Sequence, residues 1–247
     1  MNNILIEIDS LRRSGHHAFT QWLISNLHEN QYEENLCKFK YNHVIGNQKV
    51  LWVNEGHVDI EGNKEYISKC VDDHSVIIIT YEVFWQERLN QPNHTILTEE
   101  LKRKWGVKEH IQISFVRDIL NNLSSLLKKL QDFSDGDLVV KNFLQIYKNQ
   151  LKKALVPFEG IIYDKWISDE EYANQVCLKI LGKNNMFHPL KVGGTDSSFG
   201  DELNIQSLLD RYKQSPPPQW TVELIKQDKE LMEMLEILGM NKPSNDE

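Results

Sequence analysis

The chain has 247 residues, 40% of them hydrophobic, with 28 Lys and Arg against 36 Asp and Glu and a formal net charge of −8. That length supports one sizeable α/β core, and the acidic balance argues against nucleic acid or an anionic membrane as a partner, so any anion site has to be local. Cys37, Cys70 and Cys177 are odd in number and far apart, which points away from a disulfide framework and from a zinc cluster.

In chain order, Ile4 to Asp9 alternates Ile4, Ile6 and Ile8 with polar residues and predicts a strand. Leu11-Arg12-Arg13-Ser14-Gly15-His16-His17-Ala18-Phe19 follows as a tight turn that opens a helix over about 15–29, with Phe19, Leu23 and Leu27 on one stripe. Lys49 to Asn54 is the second expected strand, followed by Glu55 and His57 and then a helix over about 62–73. Ser75 to Tyr81 is the third, with the apolar run Val76-Ile77-Ile78-Ile79 and Glu82 at its end, and a helix is expected over about 98–105. Ile111 to Val116 reads as a fourth strand leading into Arg117-Asp118. Asp118 is placed to cap a helix over about 118–131 with Leu120, Leu123, Leu126, Leu127 and Leu130 on one face. A helix over 137–153 and a fifth strand, Gly160 to Tyr163, come next. One helix then carries Tyr172, Val176 and Ile180 and stops at Gly182. Beyond a Gly- and Ser-rich loop from Lys191 to Gly200, a helix through Leu203, Leu208 and Leu209 reaches Pro216-Pro217-Pro218, and a last helix bears Leu224, Leu231, Leu235 and Leu238.

This alternation predicts an α/β fold of three layers, a central parallel sheet of about five strands between helices, with right-handed crossovers. Residues 1–247 read as one domain, with a C-terminal helical segment over 201–240 and a polar tail over 241–247. The first strand begins within four residues of Met1, and no apolar run reaches bilayer-spanning length, so a cytoplasmic protein without membrane insertion is expected. On that expectation the sequon Asn93-His94-Thr95 carries no weight.

The turn after the first strand suits a phosphate. The free N–H groups and positive dipole end of the following helix attract an anion, Gly15 permits close approach, and Arg12 and Arg13 add full charges. The nucleotide triphosphatase loop is longer, with two glycines and an invariant Lys before a Ser or Thr; here His16 and His17 stand at that place. Arg117 and Ser125 bracket two turns of one helix face and can reach a single anion, with Ser124 as the alternative serine. Gly193 and Gly194 allow consecutive inward N–H groups, an anion nest. Adjacent histidines on a helix point about 100° apart with no third ligand nearby, so no metal is expected at His16 and His17.

Together, Arg-Ser-Gly after the first strand and Arg117 eight residues before Ser125 resemble the sulfotransferases that use 3′-phosphoadenosine 5′-phosphosulfate. The resemblance extends to Gly160-Ile161-Ile162-Tyr163-Asp164 and loosely to the loop with Gly193, Gly194 and Ser198, and is generic over 28–109. It implies a P-loop-like architecture and a sulfuryl transferase acting on a hydroxyl of a carbohydrate or small molecule. The donor's 5′-phosphosulfate would be held by Arg12, Arg13, Ser14, Gly15, His16, His17 and Ala18. Its 3′-phosphate would be held by Arg117 and Ser125 with the loop of Gly193, Gly194 and Ser198, and Tyr163 would lie near adenine. Arg13 would stabilise the leaving phosphate, and the acceptor hydroxyl needs a base, with Glu55 first and His57 and Glu82 in reserve. The sequence departs from the family in having His16-His17 for a Ser or Thr pair, no aromatic directly after the turn, and a late loop with few basic residues. Two other readings are a nucleoside-kinase-type phosphotransferase, opposed by the missing lysine, and a nucleotide-binding protein that keeps the fold without turnover.

Overall fold

The structure, a computed structural model, describes residues 3–11, 14–27, 43–45, 48–54, 76–83, 99, 102–103, 105–129, 136–155, 159–185 and 205–243. Six strands form one sheet: β1 (Ile4–Leu11), β2 (His43–Ile45), β3 (Gln48–Asn54), β4 (Val76–Val83), β5 (Glu109–Val116) and β6 (Glu159–Ile162). Their order is β2-β3-β4-β1-β5-β6. Every pair is parallel except β2 with β3, where His43 lies opposite Val50. The sequence reading had no counterpart of this short antiparallel edge strand, because three residues carry too little periodicity to register.

Among the described residues the helices include α1 (His16–Leu27), α2 (Ile119–Lys129), α3 (Gly136–Leu155), α4 (Tyr163–Ser168), α5 (Glu170–Leu181), α6 (Ile205–Leu209), α7 (Arg211–Gln214), α8 (Gln219–Gln227) and α9 (Lys229–Ile237). Alternation along the strands sends side chains to two separate cores. On one face Ile6 and Ile8 of β1, Val76 and Ile78 of β4, and Ile113 and Phe115 of β5 meet Phe19, Trp22 and Leu23 of α1 and Trp166 of α4. On the other, Leu11, Val116 and Ile162 meet α2, α3, α8 and α9 through Leu123, Tyr147, Ile225 and Leu231. Helices therefore cover both faces of a mixed α/β sheet.

Two single helices expected from the sequence are each divided in two, both times by an aspartate. Asp169 leaves the helical region and accepts a hydrogen bond from Tyr172 N–H at 3.0 Å, so the segment after β6 becomes α4 and α5. Asp228 does the same for Leu231 N–H at 3.1 Å, separating α8 from α9 within one leucine stripe. An aspartate that caps one helix ends the preceding one, a local event that apolar spacing does not reveal. α5 stops at Gly182 as expected, in the left-handed region at φ +68. The expected helix over 62–73 and the loop over 191–200 lie outside the described residues. Of 98–105, the described positions 99, 102, 103 and 105 are helical.

The chain leaves β1 through α1 on one face and builds β3 and β4 to one side. It leaves β5 through α2 and α3 on the other face and builds β6 to the other side. The connections thus diverge between β1 and β5, and in open parallel sheets ligands bind outside the carboxyl ends of the strands at such a reversal.

Candidate functional site

The turn after β1 is compact. Ser14 N–H donates to Leu11 O at 3.1 Å, and Ala18 and Phe19 N–H return to Gly15 O at 3.1 and 3.3 Å, which starts α1. Gly15 has φ +91, and a Cβ there would lie 2.5 Å from Cε2 of Tyr163, so both the backbone angle and the ring require glycine. Ser14 is fully buried, and its hydroxyl has no hydrogen-bond partner among the described residues. His16 is buried and lies edge-on to His17, ring centroids 4.1 Å apart, while His17 lies edge-on to Trp52 of β3 at 5.7 Å.

Arg117 follows β5 and is also buried. Its guanidinium lies 4.9 Å from the centre of the Tyr163 ring and donates to Leu208 O of α6 at 2.9 Å. Tyr163 is the first residue of α4 rather than the end of β6. Besides Arg117 and Gly15 its ring meets Phe115 edge-on, centroids 6.0 Å apart. The three segments singled out in the sequence, the Ser14-Gly15 turn, Arg117 and Tyr163, therefore meet beyond the carboxyl ends of β1, β5 and β6. Ser125 is buried in α2. Ser124 donates its hydroxyl to Ser215 O at 2.5 Å. Glu82 lies in β4 in register with Ser10. Arg12, Arg13, Glu55, His57, Gly193, Gly194 and Ser198 lie outside the described residues. Among the described residues no cluster of His, Cys, Asp and Glu side chains could hold a metal ion, and no helix is long and apolar enough to cross a membrane.

Sequence reasoning passed over the carboxylates beside Arg117. Asp118 does cap α2, its Oδ1 accepting Asn121 N–H at 2.9 Å, and its own N–H donates to Asp164 Oδ2 at 2.6 Å. Burial, with the Asp164 charge adding to it, pushes the Asp118 carboxyl up to about 7. Asp164 is raised too, by burial, against the pull of Arg117. Tyr147 of α3 donates its hydroxyl to Arg117 O at 2.7 Å, and burial followed by these two carboxylates holds its phenol well above the ordinary value. The signal was present in the strings Arg117-Asp118 and Tyr163-Asp164, two acidic residues each just past a strand end. Their pairing is a product of β5 and β6 being neighbours.

A cavity of about 500 Å³ adjoins this pair, walled by Asp118, Asn121, Asp164, Lys165, Asp210 and Lys242 among others. No residue of the Ser14–Ala18 turn lines it. Three carboxylates stand against two lysines there, and Lys242 is already paired with Glu236 at 2.6 Å.

No protein-family model matches the chain, and comparison with curated proteins finds no match.

Proposed function

We propose that the protein is a sulfuryl transferase that takes 3′-phosphoadenosine 5′-phosphosulfate as donor and a hydroxyl of a carbohydrate or small molecule as acceptor. The observation that carries the reading is the contact of Gly15 and Arg117 with one ring, Tyr163, at the carboxyl ends of three neighbouring parallel strands. Residues 103 positions apart in sequence, Ser14 and Arg117, then serve two ends of one ligand. The buried Ser14 hydroxyl, without a hydrogen-bond partner among the described residues, and the N-terminus of the twelve-residue α1 suit an anion at the 5′ side. Arg117 and Ser125 suit a second phosphate at the 3′ side.

The donor supplies an activated sulfuryl group: the acceptor oxygen bonds to sulfur, the bond to the 5′-phosphate breaks, and its electron pair stays on the phosphate oxygen. The protein's part is to hold the partners in line and stabilise the charge that develops on the phosphate, the task of Arg12, Arg13 and the α1 N–H groups. The hydroxyl proton passes to a base, with Glu55 assigned first and His57 and Glu82 as substitutes. Tyr163, near the adenine, also spaces the turn from Arg117, its ring being in contact with both.

The 3′-phosphate separates this reading from that of any ordinary adenylate binder. Charge-assisted hydrogen bonds contribute about 1.5–3 kcal/mol each, so the wild type is expected to bind 3′,5′-adenosine diphosphate at least roughly tenfold more tightly than AMP. Calorimetric titration measures both constants, and equal affinities overturn the assignment.

A further inference from the structure

Asn122 is the most conspicuous polar side chain that the donor site leaves without a task. It lies in the first turns of α2, its N–H closing onto Asp118 O at 2.9 Å, and it is completely removed from solvent. Neither Nδ2 nor Oδ1 of its carboxamide has a hydrogen-bond partner among the described residues. The rest of the α2 start is satisfied differently: Asn121 Nδ2 donates to Leu209 O at 2.5 Å while its Oδ1 accepts Tyr212 N–H at 3.1 Å, and Ser124 is bound to Ser215 O. At 100° per residue, Asp118, Asn122 and Ser125 occupy one 60° sector of the helix, whereas Asn121 and Ser124 face the 208–215 segment and the leucines face α3. Asn122 thus lies 60° round the helix from Ser125 and one turn closer to Arg117.

A buried amide left unpaired on both its donor and its acceptor is costly, and native folds rarely tolerate one without a use for it. An ionised phosphate would not complete it, because a phosphate only accepts and would leave Oδ1 unmatched. A hydroxyl both donates and accepts. On the donor reading, on which this inference rests, Arg117 and Ser125 bracket the 3′-phosphate, and the group vicinal to a ribose 3′-phosphate is the 2′-hydroxyl. We infer that Asn122 is a specificity residue that reads the ribose 2′-hydroxyl of the nucleotide donor.

The test compares 3′,5′-adenosine diphosphate with 2′-deoxyadenosine 3′,5′-bisphosphate by calorimetry. The wild type is expected to favour the ribose ligand by about tenfold, the weight of one matched hydrogen bond. Asn122→Leu, with the same branching and without polar atoms, is expected to bind the two alike. The wild-type ratio needs no variant. Equal, measurable binding of both ligands by the wild type overturns the inference and leaves the donor reading standing, as does a preference that survives in Asn122→Leu. Failure of the wild type to bind either bisphosphate overturns the donor reading, and the role of Asn122 falls with it.

Discussion

The two faces of the sheet are filled by opposite means. Beneath α1 the core is aromatic: Phe19 stacks on Phe115 at 4.7 Å and on Trp22 at 5.6 Å, and Trp166 meets Phe19 and Trp22 edge-on at 5.4 and 5.6 Å. Beneath α3 the apolar core is threaded with polar side chains. Glu7 accepts from the Tyr81 hydroxyl at 2.9 Å and from Gln112 at 3.1 Å and meets His110 at 2.6 Å. Gln150 donates to Asp9 O at 2.6 Å and to Ser114 Oγ at 2.9 Å, and Lys153 pairs with Asp9. Farther along, the same side holds the Asp118–Asp164 pair. Apolar burial stabilises the fold without regard to pH, whereas buried ionisable groups make stability depend on it. One sheet is thus held by an indifferent face and a responsive one.

The largest expected effect lies on the aromatic face. Phe115 has no exposed surface and touches the rings of Phe19, Tyr163 and Trp166. Phe115→Ala is expected to cost about 3–5 kcal/mol in denaturant unfolding, since cavity and transfer terms add. The loss should be the same at pH 5 and pH 8. A pH-dependent loss would mean that the two faces are not separate cores.

What the sequence made legible follows the same division. Alternating Ile4, Ile6 and Ile8, the run Val76 to Ile79 and the stripe Phe19-Leu23-Leu27 announce strands and a helix because apolar periodicity is a property of neighbouring residues. Gly15, Arg117 and Tyr163 could be picked out as candidates one by one for the same reason. Their contact could not, since it depends on β5 lying beside both β1 and β6. The Asp118–Asp164 pair, the breaks at Asp169 and Asp228 and the edge strand β2 were hidden too, because each is decided by a partner distant in sequence or by one side chain competing with the helix.

Asp118 gives the second test, on the responsive face. Its carboxyl is raised to about 7 in the folded protein by burial and by Asp164, against an ordinary value near 3.8. Between about pH 4 and pH 7 the folded state therefore holds a proton that the unfolded chain has released, so this group makes stability fall as pH rises through that window. Asp118→Asn keeps an oxygen to cap Asn121 N–H and removes the charge. The variant is expected to match the wild type near pH 4 and to melt higher at pH 8, by about 2–4 °C for each kcal/mol recovered in a domain of this size. Parallel melting curves for the two proteins across the range would show that Asp118 is charged at no cost.

The smallest effect is expected at the rim of the same face, where Lys148 of α3 reaches Asp228 at 2.8 Å and Glu230 at 3.6 Å. Burial pushes the Asp228 carboxyl up, but the Lys148 hydrogen bond, Leu231 N–H and nearby lysine charge outweigh it, and the group sits below its ordinary value. The sign is opposite to that of Asp118: this contribution is present above the unfolded value near 4 and is lost as pH falls through the lower folded one. Lys148→Met keeps the stem and removes the charge, and is expected to cost no more than about 1 kcal/mol at pH 7 in low salt. That cost should fade in 1 M salt, where the screening length is about 3 Å. Asp228→Ala removes the cap on α9 together with the ion pair, so about 0.5–2 kcal/mol of its cost should survive the same salt. If salt erases both losses alike, the break between α8 and α9 is held by charge alone; if it erases neither, the Lys148 ammonium acts through its direct hydrogen bond to Asp228 and not through screened charge.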